Sequence, residues 1–261
     1  MTEEQKSLHW LSSILDILLK ECPWDSRQTI DSLRYLTVEE VYELSESIIA
    51  GNRDETRKEL GDIFMHLLFY AKLAEKEGSF TTADVLDGIC RKLIKRHPHI
   101  SLPDRDGQRQ PPQTHDTPRW EEVKMTEGRH SALEGVPASL PPLVKAVRMQ
   151  EKAAGLGFDF ASNDDAHHKF EEEYAEFQAA LKESSRRHAE EELGDMLFAL
   201  VKWAASEGIN ADDALCRTNN KFKQRFEHVE QRAHEQHRNI NDLTQEEMLR
   251  YWNEAKEHPE T

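Results

Sequence analysis

The sequence predicts an all-α fold built from two copies of one helical unit. Apolar residues recur at helical spacing along nearly the whole chain, and no segment alternates like a half-buried strand. One short run is also written twice, as "KELGDIFMHL" at 58–67 and "EELGDMLFAL" at 191–200. Leu60, Ile63, Phe64, Leu67 and Leu68 form an apolar stripe in the first run, and Leu193, Met196, Leu197, Leu200 and Val201 repeat it in the second.

The repeat extends in both directions. Upstream, "EEVYE" (Glu39, Glu40, Glu43) answers to "EEYAE" (Glu172, Glu173, Glu176). Sixteen residues separate Glu43 from Glu59, and sixteen separate Glu176 from Glu192. Further upstream "PWD" at 23–25 parallels "GFD" at 157–159. Downstream, Lys92 and Arg96 sit four apart, as do Lys221 and Arg225, and "WEEVK" (Trp120, Lys124) matches "WNEAK" (Trp252, Lys256). Six matches in one order make the chain a tandem repeat. The polar, proline-rich stretch 101–118 is expected to be a mobile loop inside the first copy, and "EGVPASLPP" (134–142) breaks helix again. The expected domains are 1–133 and 134–261.

Composition narrows the class. Charged residues are 32 % and hydrophobic residues 37 %, and no apolar run reaches the roughly 18 residues of a spanning helix. The opening "MTEEQKS" is acidic where a signal peptide would be basic. Cys22, Cys90 and Cys216 form no metal or disulfide pattern, which fits a reducing cytoplasm. A net charge of −16 opposes sequence-independent binding to nucleic acid, and no membrane partner is expected.

The repeated acids carry the chemistry. Residues three apart share a helix face, so Glu40 and Glu43 point together, as do Glu59 and Asp62. A turn around 51–55 would fold the two helices antiparallel, and Glu173, Glu176, Glu192 and Asp195 would repeat the arrangement. Two carboxylates about 4 Å apart repel by roughly 4 kcal/mol at an effective dielectric near 20, so four need cations between them. Oxygen ligands favour Mg²⁺ or Mn²⁺, whereas a di-iron redox bundle would want Glu-x-x-His in place of Glu-x-x-Asp. Gly61 and Gly194 would let a helix or ligand approach closely.

Blander readings exist. Acid pairs three apart are usually a solvated face, and "TVEE" (37–40) reads as a capping box with Thr37 as N-cap. Two copies at matched spacing favour the metal, and the second helix is expected to begin near Ser162 or Asn163, well ahead of Glu173. Trp24 and Phe158 read as core filler, Asp25 and Asp159 as helix caps, and the histidines of "RHPHI" and "AHHKF" as loop or surface. Lys221, Arg225, Trp252 and Lys256 would hold phosphates while the indole covers a base or sugar.

E-E-x-x-E followed some fifteen residues later by E-x-x-D resembles the all-alpha nucleoside triphosphate pyrophosphohydrolases. The fuller set ("CPWD", "EEVYE", "ELGD", "KLIKRHPH", "GFDF", "EEYAE", "ELGD", "NKFKQRF", "YWNEAK") is similar to the two-domain bacterial MazG proteins over essentially the whole chain. The resemblance implies Mg²⁺-dependent hydrolysis of nucleoside triphosphates to monophosphate and pyrophosphate, in a house-cleaning or nucleotide-pool role, by a cytoplasmic homodimer. It also implies metal ligands at Glu40, Glu43, Glu59 and Asp62 and at Glu173, Glu176, Glu192 and Asp195, with Glu39 and Glu172 supporting or orienting water. Asn219, Lys221, Arg225, Trp252 and Lys256 match nucleotide-contact positions, and Lys92, Arg96, Trp120 and Lys124 are their first-copy counterparts. Asn219 fits the family pattern where the first copy has Cys90, so the second copy is expected to carry most of the turnover. The alternative is a non-catalytic helical module that binds nucleotide or metal and regulates a partner.

Overall fold

Helix starts fall where short polar side chains can satisfy the free amides of a first turn. In the computed structural model, which describes residues 1–114, 123, 128 and 130–257, Thr2 caps α1 (Glu3–Glu21) and Thr29 caps α2 (Ile30–Ile49), both in capping boxes. Asn52 caps α3 (Arg53–Lys76) and Thr81 caps α4 (Thr82–Arg96). Further along, α5 (Pro142–Ala154) opens on a proline, Ser162 caps α6 (Asn163–Ala180) and Ser185 caps α7 (Arg186–Ser206). Asn210 caps α8 (Ala211–Glu235), and α9 is Gln245–Glu257. Among the described residues there is no strand, only one isolated antiparallel bridge between Pro103 and Arg109.

The chain divides into two compact units, Met1–Pro118 and Arg119–Thr261. This division lies ahead of the 133/134 join expected from the repeat. Lys152 of α5 donates to the carbonyls of Ala132 (3.0 Å) and Glu134 (3.3 Å), which holds that segment against the second unit. Within the first unit, residues 103–110 form a turn in which Asp104 accepts from the amides of Asp106 and Gln108 and from the Gln110 side chain. Arg105 reaches Asp87 of α4 at 3.1 Å.

In the first unit, α2 and α3 are antiparallel. Gly51, at φ 71°, makes the reversal that a side chain would strain. The Ser47 hydroxyl donates to Thr56 Oγ1 at 3.1 Å near the turn, and Thr37 Oγ1 meets Tyr70 Oη at 2.6 Å and His66 Nδ1 at 3.2 Å at the far end. Thr37 therefore lies inside α2 and caps nothing; the capping-box reading of 37–40 fails because the helix already begins at Ile30. Leu15, Leu33, Leu68, Phe69 and Leu73 form the core between α1, α2 and α3. Lys72, itself buried, makes an ion pair at 2.5 Å with Asp16 at its edge.

In the second unit, α6 and α7 repeat the hairpin. Asn163 pairs with Glu207 at 3.3 Å, and the Phe170 and Trp203 rings stack at 5.4 Å. A separate apolar cluster of Val229, Ala233, Leu243 and Tyr251 ties α8 to α9, with Arg238 and Glu247 bonded at 2.7 Å beside it. That pairing holds the Glu247 carboxyl down at about 2.

Three sequence readings change here. Trp24 and Phe158 are exposed and fill no core. Asp25 opens a short 3-10 turn without any side-chain cap, and Asp159 is paired with Lys202. Beyond their own helical turn, no described residue comes within 4 Å of where a Cβ would stand on Gly61 or Gly194, so neither accommodates a close neighbour among the described residues.

Candidate metal centre and nucleotide cleft

The acids of α2 and α3 meet because the hairpin turn sets their register. Glu40, Glu43 and Glu59 each offer a carboxylate oxygen within 4.8 Å of the others. Asp62 stays outside that trio but lies near enough to act electrostatically on both Glu40 and Glu59. Partial burial, then repulsion from Asp62, Glu43 and Glu39, raises the Glu40 carboxyl above its usual range. Desolvation followed by Glu43, Glu40 and Asp62 does the same to Glu59. Crowded carboxylate oxygens suit a hard divalent ion.

The second hairpin gathers Glu173, Glu192 and Asp195 within the same 4.8 Å. Glu176, one turn beyond Glu173 on α6, is exposed and lies outside the trio, so each unit unites three of its four expected ligands. Glu173 is only 8 % exposed. Lys169 bonds both Glu172 and Glu173 at 2.8 Å, which raises its pKa, and His188 donates or accepts between Glu183 (2.9 Å) and Glu192 (3.0 Å). The bonds from Glu183 first, then Glu192, raise the imidazole pKa.

Sequence reasoning passed over Lys169 and His188. Aligning the copies on Glu40/Glu173 and Glu59/Glu192 puts Leu36 opposite Lys169 and Glu55 opposite His188. A residue-by-residue comparison of the two copies would have singled them out.

Beside the second acid group lies a cleft of about 540 Å³, within the size range of small-ligand sites. Glu173 and Asp195 stand on one wall with Lys169, and the remaining walls are largely apolar, including Leu133, Met149, Phe160 and Phe198. Phe158 lines it too and is 85 % exposed. Burial alone would push the Asp159 carboxyl up, but the Lys202 bond and the Phe160 amide at 2.7 Å hold it below the usual range. Gln150 donates to the Phe198 carbonyl at 2.8 Å.

The expected phosphate-contact residues form a different neighbourhood. The Arg225 guanidinium lies 5.7 Å from the Trp252 ring centre, and Phe222 packs 5.1 Å from the same indole. Lys221 and Asn219 are exposed on α8, and Lys256 is exposed on α9, where it donates to Asn253 at 3.3 Å. None of these five lines the cleft beside the acids. In the first unit Lys92 is exposed on α4 while Arg96 is buried at that helix's end. Trp120 and Lys124 lie outside the described residues.

The MazG nucleotide pyrophosphohydrolase domain matches the chain twice, at 28–101 and 162–230. These two segments carry both acid hairpins. The nucleoside triphosphate pyrophosphohydrolase of Escherichia coli K12 is 35 % identical over 241 residues, covering 90 % of each chain. The Thermotoga maritima nucleoside triphosphate pyrophosphohydrolase/pyrophosphatase MazG is 34 % identical over 243 residues, 92 % of this chain and 91 % of that one. The YabN protein of Bacillus subtilis is 38 % identical over 265 residues, 98 % of this chain and 53 % of its own. With two domain matches on the two acid-bearing hairpins and two relatives aligned over at least 90 % of both chains, the chain belongs to the MazG nucleotide pyrophosphohydrolase family.

Proposed function

We propose that the protein hydrolyses nucleoside triphosphates to nucleoside monophosphate and pyrophosphate with Mg²⁺, or Mn²⁺ in its place, and that the second unit performs the reaction. The observation that carries this is the cleft opening directly on Glu173 and Asp195. Glu173, Glu192 and Asp195 would hold the metal, with Glu176 joining by a rotamer change at its exposed position. A bound Mg²⁺ neutralises phosphoryl oxygens and lowers the pKa of water. Glu172 orients the attacking water once Lys169 turns from it to the phosphates. Lys221, Arg225 and Lys256, with Asn219 and Trp252, line no part of this cleft and would reach the departing pyrophosphate and the nucleotide from a second copy of the chain. In the first unit Glu39, Glu40, Glu43, Glu59 and Asp62 supply the equivalent acids.

The role that fits this chemistry is nucleotide-pool control or removal of unwanted triphosphates in the cytoplasm; no helix among the described residues is long and apolar enough to cross a membrane. The acting form is a homodimer. Leu60, Phe64 and Leu67 on α3 are 52 %, 51 % and 56 % exposed, an apolar face that a second copy would cover. Sedimentation giving a monomer-sized species alone would contradict that. The catalytic reading is tested by resolving products from common triphosphates with Mg²⁺. Monophosphate and pyrophosphate in equal amounts, lost in Glu176→Ala, are expected; no pyrophosphate from any triphosphate would favour a nucleotide-binding regulatory module.

A further inference from the structure

We infer that Lys152 is a positioning residue for the substrate. Its buried ammonium holds the backbone arch 130–136 against α5 and keeps Leu133 in place as a wall of the cleft. Lys152 thereby sets the affinity for nucleoside triphosphate without lining the cleft itself. The inference rests on the catalytic reading above for what occupies the cleft, and adds how one of its apolar walls is fixed.

Three observations lead there. Lys152 is only 5 % exposed and lines no part of the cleft, whereas Leu133 does. The lysine Nζ donates to the carbonyls on either side of Leu133, those of Ala132 at 3.0 Å and Glu134 at 3.3 Å. The alternate carbonyls are served by amides of the arch itself: Glu134 donates to Ser131 and Val136 to Leu133, both at 3.1 Å. The third observation is a difference between the copies. Aligning "PWD" on "GFD" sets Leu18 opposite Lys152, and Leu18 packs against the core of the first unit.

A helix that only had to pack would do better with the leucine, because a buried ammonium is costly unless its donors are answered. Here backbone oxygens answer them, and hydrogen bonds from a charged donor are about twice as strong as neutral ones. The arch is irregular backbone, and Leu133 stands 40 % exposed on it. Such a side chain is only as fixed as the backbone beneath it. Without the ammonium, the Ala132 and Glu134 carbonyls turn to water, the arch loses this hold on α5, and Leu133 leaves the cleft. Glu173 and Asp195, on helices α6 and α7, keep their places. Affinity therefore falls while the chemistry is spared.

A double-mutant cycle tests this on the whole chain, with whichever common nucleoside triphosphate it cleaves fastest. Lys152→Met keeps the length of the side chain and removes its donors; it should raise KM about tenfold and leave kcat within about twofold of wild type. Leu133→Ala, at an exposed position, removes the wall and leaves the lysine; it should raise KM by a similar factor. Because both act through Leu133, the double variant should be no worse than either single one. A purely structural lysine would instead lower kcat or the folded fraction at unchanged KM, or its effect would multiply with that of Leu133→Ala; any of these overturns the assignment. An unchanged KM in Leu133→Ala overturns it as well, even if Lys152→Met fails to fold. If no triphosphate is cleaved, the catalytic reading falls separately, and equilibrium dialysis with ATP, CTP, GTP and UTP decides this one. Binding about tenfold weaker in Lys152→Met, and no weaker still in the double variant, supports it. Binding equal to wild type, or absent from wild type, refutes it.

Discussion

The two hairpins share their acids and differ in what surrounds them. Beside the acids of α6 and α7 the second unit has Lys169, Lys202, Ala199 and a cleft. At the corresponding positions the first unit has Leu36, Phe69 and His66, and both Phe69 and His66 are buried. One copy has kept open space next to its carboxylates while the other has filled it with core. The comparison teaches that two sites with the same ligand spacing can differ in the residues packed beside them, and under the proposed function it is those residues that would set the copies apart.

The largest effect expected from breaking this contrast is on stability. Leu15→Ala, at a residue 1 % exposed in the filled core, should cost about 2–5 kcal/mol in denaturant unfolding. Ala199→Leu instead adds volume to the cleft wall of the second unit. It should lower nucleotide affinity at least tenfold, at an overpacking cost of about 1–3 kcal/mol. A cost at Leu15 no greater than at an exposed leucine would remove the filled-core half of the comparison.

Lys169 sharpens the electrostatic difference. Held at 2.8 Å from Glu172 and Glu173, it competes with a divalent ion for the same oxygens. Lys169→Met should lower the Mg²⁺ concentration giving half-maximal binding by several fold, read by titration without substrate. A higher Mg²⁺ requirement would mean that the lysine organises the site rather than competes for it.

Gly61→Ala and Gly194→Ala should each stabilise the chain by about 1 kcal/mol, because open space surrounds both positions within the chain and alanine is the better helix former. Loss of activity or of self-association in either variant would show that a second molecule approaches there.

The smallest effect is the pH dependence contributed by the acids of the first hairpin. Glu40 and Glu59 have folded pKa values raised above their unfolded ones, so the folded state binds the extra protons. Without Mg²⁺, stability should therefore rise as pH falls from above the raised values toward about 4.5. Saturating Mg²⁺ should flatten that slope, and a metal-free profile rising with pH instead would refute the crowding.

Much of this was legible in the sequence. Helical periodicity and the twice-written Glu-Leu-Gly-Asp run gave the all-α repeat, and the start of α6 at Asn163 followed from Ser162 as its cap. The sixteen-residue step fixed which acids face each other, since it spans one turn and two helix ends. The blander reading of Thr37 as a cap would begin α2 too late; tertiary bonds to His66 and Tyr70 occupy its hydroxyl instead. The exposure of Phe158 and the unpartnered Gln150 Oε1 were not legible because both are properties of packing, which spacing does not encode. Lys169 was visible only as a difference between copies.

The most direct test of the account compares Glu59→Ala with Glu192→Ala, equivalent acids in the two hairpins, in Mg²⁺-dependent triphosphate hydrolysis with monophosphate and pyrophosphate resolved. Glu192→Ala should lose about a hundredfold or more in kcat, and Glu59→Ala should stay close to wild type. Equal losses, or a greater loss in Glu59→Ala, would contradict the assignment of the reaction to the second unit.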